Sequence, residues 1–137
     1  MRLFNINGKL VTKNVTRYLI KWDKACKSKL QFKVKKFLRP FWRPFIVYEE
    51  FPVYGTLLKV DILNASLKVA IEVQGPQHNE FHYFHDGKPE LFLDSVKRDC
   101  KKMEWLERNG FQLIEIMYNE VDTLSKEWFR QKFNLIL

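Results

Sequence analysis

The eight residues Leu67–Gln74 (LKVAIEVQ) constrain the fold more than any other stretch of the chain. Val69, Ala70, Ile71 and Val73 make a nearly unbroken apolar run, the pattern of a strand covered on both faces; a strand with one wet face alternates apolar and polar residues instead. Gly75-Pro76 then break the ladder. Such a strand belongs inside a sheet with a packed layer on each side. Glu72 interrupts the run, and a carboxylate in a covered strand needs a reason, because an unpaired buried charge is costly.

The flanking sequence supplies the rest of the sheet. After Pro44 the period changes from 3.6 to 2: Ile46–Val53 reads as a strand in which Pro52 marks an edge or strand end, and Tyr54-Gly55 turns the chain. Leu57–Leu63 is a second strand and Asn64-Ala65-Ser66 a tight turn into the third, giving an antiparallel meander. Glu90–Asn109 is helical, with Leu91, Phe92, Val96, Met103 and Leu106 on one face and Gly110 at the left-handed C-cap position. Phe111–Met117 returns as a strand. A helix runs from about Leu124 to Leu135, capped by Asp122 or Thr123, with Trp128, Phe129 and Phe133 facing inward. Ahead of the meander, Val15, Tyr18, Leu19 and Trp22 recur at helical steps across Val11–Ala25. Ser28 caps a second helix to about Leu38, ended by Pro40 and Pro44, and Trp42 and Phe45 pack both helices onto the rest of the chain. The expected fold is α/β (α+β) in one domain of 137 residues. A mixed sheet of about four strands is flanked by helices over 44–137, and 1–43 form a basic helical extension.

Charge divides the chain at the same place. Residues 1–43 hold 13 Lys or Arg against one acid, Asp23, whereas 44–137 hold 11 bases and 15 acids. A basic segment of this kind supplies phosphate contacts, and Lys13, Arg17, Lys21, Lys24, Lys29, Lys33 and Lys36 are the expected nucleic-acid contacts. No apolar run approaches the roughly 20 residues that span a bilayer, and MRLFNINGKLVTKN lacks the marks of a signal peptide, so no membrane and a cytoplasmic location are expected. Cys26 and Cys100 lie far apart and read as reduced thiols.

Asp61 precedes Glu72 by eleven positions on the neighbouring strand. With the turn at Ala65-Ser66, Asp61 faces Ala70, and Glu72 lies diagonally across on the same side at roughly 7 Å. Gln74 points the same way. Strand twist, or a one-residue change in the turn, brings both carboxylates around a hard cation, Mg²⁺ or Mn²⁺; the competing arrangement leaves both acids facing solvent on a half-covered sheet. The loop after Gly75 holds His78, His82 and His85, interleaved with Phe81, Tyr83 and Phe84.

Asp61 followed by Glu72-x-Gln74 resembles the PD-(D/E)XK nuclease signature with Gln in the usual place of Lys. The segment IEVQGPQH (Ile71–His78), Asp99, Lys102 and NGFQLIEI (Asn109–Ile116) are similar to the branch of very-short-patch-repair (Vsr) and EDxHD homing endonucleases; the resemblance covers residues 46–117. It implies a restriction-endonuclease-like core whose site is built from Glu50 or its neighbour Glu49, Asp61, His78 and Asp99. Asp61, Glu72 and the Val73 carbonyl would hold Mg²⁺, and His78 would take over from the missing Lys as general acid or base. Phe81 and Tyr83 match a loop that enters or stacks on DNA in such proteins. The implied activity is a Mg²⁺-dependent endodeoxyribonuclease of phage or mobile-element, homing, nicking or repair type, with DNA as partner and a homodimer needed for concerted cutting of both strands. An inactive binding module of the same fold, a Holliday-junction resolvase and an RNA-directed nuclease are the alternatives.

Overall fold

The computed structural model describes residues 1–76 and 89–137, with side chains for 1–76 and 96–137. Strands β1 (Arg2–Phe4) and β2 (Leu10–Thr12) form an antiparallel hairpin, and a 3-10 turn spans Thr16–Tyr18. Helix α1 (Lys29–Trp42) leads into β3 (Val47–Pro52), β4 (Lys59–Asn64) and β5 (Val69–Gln74); α2 (Pro89–Arg108) then connects to β6 (Gln112–Met117), and α3 (Lys126–Phe133) comes last. The sheet order is β3-β4-β5-β6. The first two pairings are antiparallel, as the meander requires, and β5-β6 is parallel, as a helical crossover requires.

The apolar run of β5 does what its pattern predicts. Ala70 joins Phe51, Val60, Leu63, Trp105 and Leu106 in one core, between the sheet and α2 with the N-terminal hairpin. Val69 and Ile71 join Val34, Leu38, Trp42, Ile114, Ile116 and Phe129 in a second core under α1 and α3. The molecule is therefore a mixed α/β structure with a four-stranded mixed sheet between two layers. At the end of α2 the Phe111 N–H donates to the Leu106 carbonyl and the Gly110 N–H to that of Glu107, a Schellman closure that needs the left-handed φ of +78° at Gly110.

Several expectations are corrected. Val11–Ala25 is not a helix. Its β-branched residues favour extended backbone, and the Asn14 side chain turns the chain by accepting from the Thr16 N–H and hydroxyl. The apolar residues that recur there serve different partners: Val15 lies in the first core with Tyr18 packed against it, while Trp22 packs on the second. Leu19 bridges to Tyr48 and the Ile20 N–H donates to the Val47 carbonyl, so this segment covers the outer edge of β3. Helix α1 runs through Pro40 to Trp42, because complete burial of Leu38 and Trp42 outweighs the hydrogen bond that proline forgoes. Phe45 is 38% exposed and does not join the core. On α2, Val96 and Met103 face solvent, and Trp105 and Leu106 are the buried pair. Ser125, not Asp122 or Thr123, caps α3 by accepting from the Trp128 N–H; Asp122 and Thr123 belong to the preceding 3-10 turn. On α3, Phe129 is fully buried, and Trp128 and Phe133 are half-buried.

Candidate active site

The β4-β5 register differs from the expected one. Ile62 pairs with Ile71 and Leu63 with Ala70, so Asp61 lies opposite Glu72, not Ala70. The connection occupies residues 65–68, longer than the tight turn expected. It is closed by the Asn64 side chain accepting from the Leu67 N–H and by Lys68 at φ +59°. The two acids face each other directly as a result, and the backbone ladder stops just before them.

The carboxylates take over where the ladder stops. Glu72 Oε2 accepts from the Asp61 N–H at 3.0 Å, and Asp61 Oδ2 accepts from the Val73 N–H at 2.8 Å, so each acid is held by the other's strand. Glu72 is buried, on the side of the sheet that faces α2, and from that helix Lys102 Nζ reaches Glu72 Oε1 at 2.7 Å. Lys102 precedes Trp105 and Leu106 by three and four positions, which puts it on the buried face of α2.

The electrostatics are unbalanced. Burial, and then the negative charge of Glu72, push the Asp61 carboxyl up to about 8, against the opposing pull of the Val73 N–H and Lys102; a side-chain hydrogen bond also joins the two carboxyl groups. Burial acts to lower the Lys102 ammonium, but Glu72 outweighs it and, with Asp61 and Asp99, holds Lys102 above its ordinary value. At neutral pH the Asp61 carboxyl therefore keeps a proton in the position where a cation would relieve the same repulsion.

The donor set is hard oxygen, which fits Mg²⁺ or Mn²⁺ better than a soft ion. Among the described residues no group of three His, Cys, Asp or Glu is arranged to hold a metal ion. Asp61 and Glu72 are the two carboxylates that meet here.

The other sequence candidates divide into three groups. Glu50 falls between the pairs Glu49–Ile62 and Phe51–Val60, opposite Asp61; it has a φ of +52° and accepts from Gln31 Nε2 at 3.1 Å. Such a backbone state is strained for a residue with a Cβ and recurs at functional sites. Since Glu72 pairs with Glu115, Glu50, Asp61, Glu72 and Glu115 stand at one level across all four strands. Glu49, like Glu50, bonds to α1, where Lys35 holds it. Gln74 is half-buried at the end of β5, beside Met117. Asp99 is half-buried on α2, one turn before Lys102. His78, Phe81 and Tyr83, with His82, Phe84 and His85, lie outside the described residues.

The basic residues do not share one helix face. Lys29, Lys33 and Lys36 are exposed on α1, where Lys33 pairs with Asp122 and Lys36 lies over the Phe32 ring. Lys13 lies over the Tyr54 ring, whereas Arg17, Lys21 and Lys24 line a cavity near Glu50. Both thiols are free. The sequence marks Lys102 only as part of the resemblance, with no role at the carboxylates; its spacing to Trp105 and Leu106 was the signal that pointed to the buried face of α2.

No family model matches the chain, and no solved structure matches it. The chain is 39% identical over 72 residues to "Uncharacterized protein 094L" of Frog virus 3 (isolate Goorha), covering 52% of this chain and 46% of that protein. It is 27% identical over 100 residues to "Uncharacterized protein 033L" of Invertebrate iridescent virus 3, covering 69% of this chain and 52% of the relative. The matched region spans about half the length of these viral relatives. No described helix is long and apolar enough to cross a membrane.

Proposed function

We propose that the chain is a metal-dependent endonuclease of PD-(D/E)XK type, hydrolysing phosphodiester bonds in DNA. One observation carries the reading: Asp61 and Glu72 meet directly across two strands with Lys102 on Glu72, so two carboxyl groups share one lysine. Bound by these carboxylates, a Mg²⁺ or Mn²⁺ ion supplies Lewis-acid polarisation of a phosphoryl oxygen and a water of lowered pKa. The Asp61 N–H holds the Glu72 carboxylate, and the Val73 N–H holds that of Asp61. Lys102 is a positive group on Glu72, and in this reading it would fulfil the task of the lysine that Gln74 replaces: offsetting charge that develops on the phosphate. Asp99 adds to the field that keeps Lys102 protonated. In this reading Glu50, opposite Asp61 in the strand register, would bind a cation through water. His78 keeps the role that the resemblance implies, a general acid or base near neutral pH.

Nicking of supercoiled plasmid in Mg²⁺ and in EDTA tests the reading. Wild type cuts only with the metal, and Asp61→Ala and Glu72→Ala each lose more than about 10²-fold in rate while still binding DNA. Equal cutting by Asp61→Ala, or cutting in EDTA, overturns it. A second reading, an inactive nucleic-acid-binding module of the same fold, rests on the Lys102–Glu72 pair as a purely structural contact. Binding without cleavage of DNA or RNA in any form selects that reading.

A further inference from the structure

A cavity of about 370 Å³ opens between the 17–27 segment, the start of α1 and strands β3 and β4. Arg17, Lys21, Lys24, Lys27 and Lys59 contribute its cations, and Tyr18, Leu19 and Ala25 contribute apolar wall, to which the aliphatic stems of the lysines add. Two acids also line it. Glu49 is already neutralised by Lys35 at 2.9 Å, so only Glu50 offsets the five cations and the cavity attracts anions.

The cavity is preformed. The Lys21 N–H donates to Glu49 Oε1 at 3.1 Å and Lys35 Nζ donates to the Lys24 carbonyl at 2.8 Å, which fixes the segment over β3. Arg17 lies over the Tyr18 ring, 4.9 Å from its centroid, and donates to the Tyr18 hydroxyl at 2.7 Å. A guanidinium held in this way is a flat cationic platform, of the kind on which unpaired bases stack. The volume lies near the small end of ligand pockets, on the order of 300–1,000 Å³, and suits one nucleotide and not a duplex. Glu50 ties the cavity to the carboxylates, because it lines the cavity and stands one strand spacing, about 5 Å, from Asp61.

We infer that this cavity is a subsite for one unpaired nucleotide of the strand whose backbone reaches Asp61 and Glu72, its phosphate held by the lysines and its base laid against Arg17 and Tyr18. The second half of that statement rests on the nuclease reading; nucleotide binding in the cavity does not.

Cys26 lines the cavity and Cys100 is exposed elsewhere, so the two thiols make a reporter and its internal reference. The full chain in EDTA is alkylated with iodoacetamide, with and without a thymidine hexanucleotide or an abasic hexanucleotide of equal charge. The thymidine oligomer slows alkylation of Cys26 relative to Cys100 by about tenfold, and the abasic one by less than about twofold. In K21Q/K24Q/K27Q, whose altered side chains are exposed, protection requires about tenfold more thymidine oligomer. Equal protection by the two oligomers, or none by either, overturns the subsite. Protection without Mg²⁺-dependent nicking keeps the subsite and removes the nuclease reading; nicking without protection does the reverse.

Discussion

Two lysine–glutamate pairs face each other through the sheet. From α1, Lys35 meets Glu49 at 2.9 Å; from α2, Lys102 meets Glu72 at 2.7 Å. The first is closed: Lys35 also donates to the Lys24 carbonyl, and Glu49 also accepts from the Lys21 N–H, so one cation and one anion are fully satisfied in a buried setting. The second is open, because Lys102 answers to two carboxylates and Asp99 stands a turn away. A buried pair in balance anchors chain, whereas a buried excess of acid calls for a further cation. The contrast separates a structural ion pair from a candidate site without reference to either lysine's sequence neighbours.

The largest effect that could break the comparison lies at the closed pair. Lys35 is 1% exposed, and Lys35→Met leaves Glu49 without its counter-charge and frees the segment that covers β3. Urea unfolding is expected to show a loss of about 3 kcal/mol, with the double variant Lys35→Met/Glu49→Leu recovering most of it. A loss below about 1 kcal/mol, typical of a solvated pair, would mean that the two pairs do not differ in kind.

The open pair makes a different prediction, in pH. Asp61 titrates near 8 in the folded protein against 3.8 for the free group, so the native state binds more protons than the unfolded state between those values. Stability is full below about pH 4 and declines as pH rises toward 8, the reverse of an ordinary paired carboxylate. The decline is on the order of 2 kcal/mol, less than the full linkage because Glu72 shares the coupling. Denaturation midpoints measured from pH 5 to pH 9 should fall for wild type and stay level for Asp61→Asn. Lys102→Met should carry the decline to higher pH, since its charge is what opposes the upward push on Asp61. Identical pH profiles for wild type and Asp61→Asn would show the carboxylates to be independent.

How much of this was legible in the sequence depends on which interactions are local. The strands of the meander, the return of β6 as a strand and the Gly110 cap were readable, because alternation and turn chemistry are written within a few residues of where they act. The two-faced covering of β5 was readable for the same reason. The N-terminal segment was not: Val15, Tyr18, Leu19 and Trp22 keep a helical spacing by coincidence, while Val15 and Tyr18 serve one core and Trp22 the other, on opposite sides of the sheet. The pairing of Asp61 with Glu72 turned on two residues of loop length, which composition does not fix. Lys102 lies 30 positions from Glu72, and its meeting with it depends on how α2 docks, a tertiary fact that its three- and four-residue spacing to Trp105 and Leu106 only hints at.

Cation binding is the smallest expected effect and the one that tests the open pair most directly. A divalent ion between Asp61 and Glu72 must displace the Asp61 proton, so Mg²⁺ affinity should rise about tenfold from pH 6 to pH 7 and level off above pH 8. At a Mg²⁺ concentration of roughly ten times Kd, stabilisation is about 1.4 kcal/mol, a shift of roughly 3–5 °C in Tm for a chain of this size. Thermal scans at pH 7.5 should show that shift for wild type, and none for Asp61→Asn or Glu72→Gln. The Lys35–Glu49 side is the internal control: Glu49→Gln should lower Tm while leaving the Mg²⁺ increment intact, because the one carboxylate of that pair already has its cation. An increment that survives in Asp61→Asn, or that is the same at pH 6 and pH 8, would place the ion elsewhere and leave the excess acid without its cation.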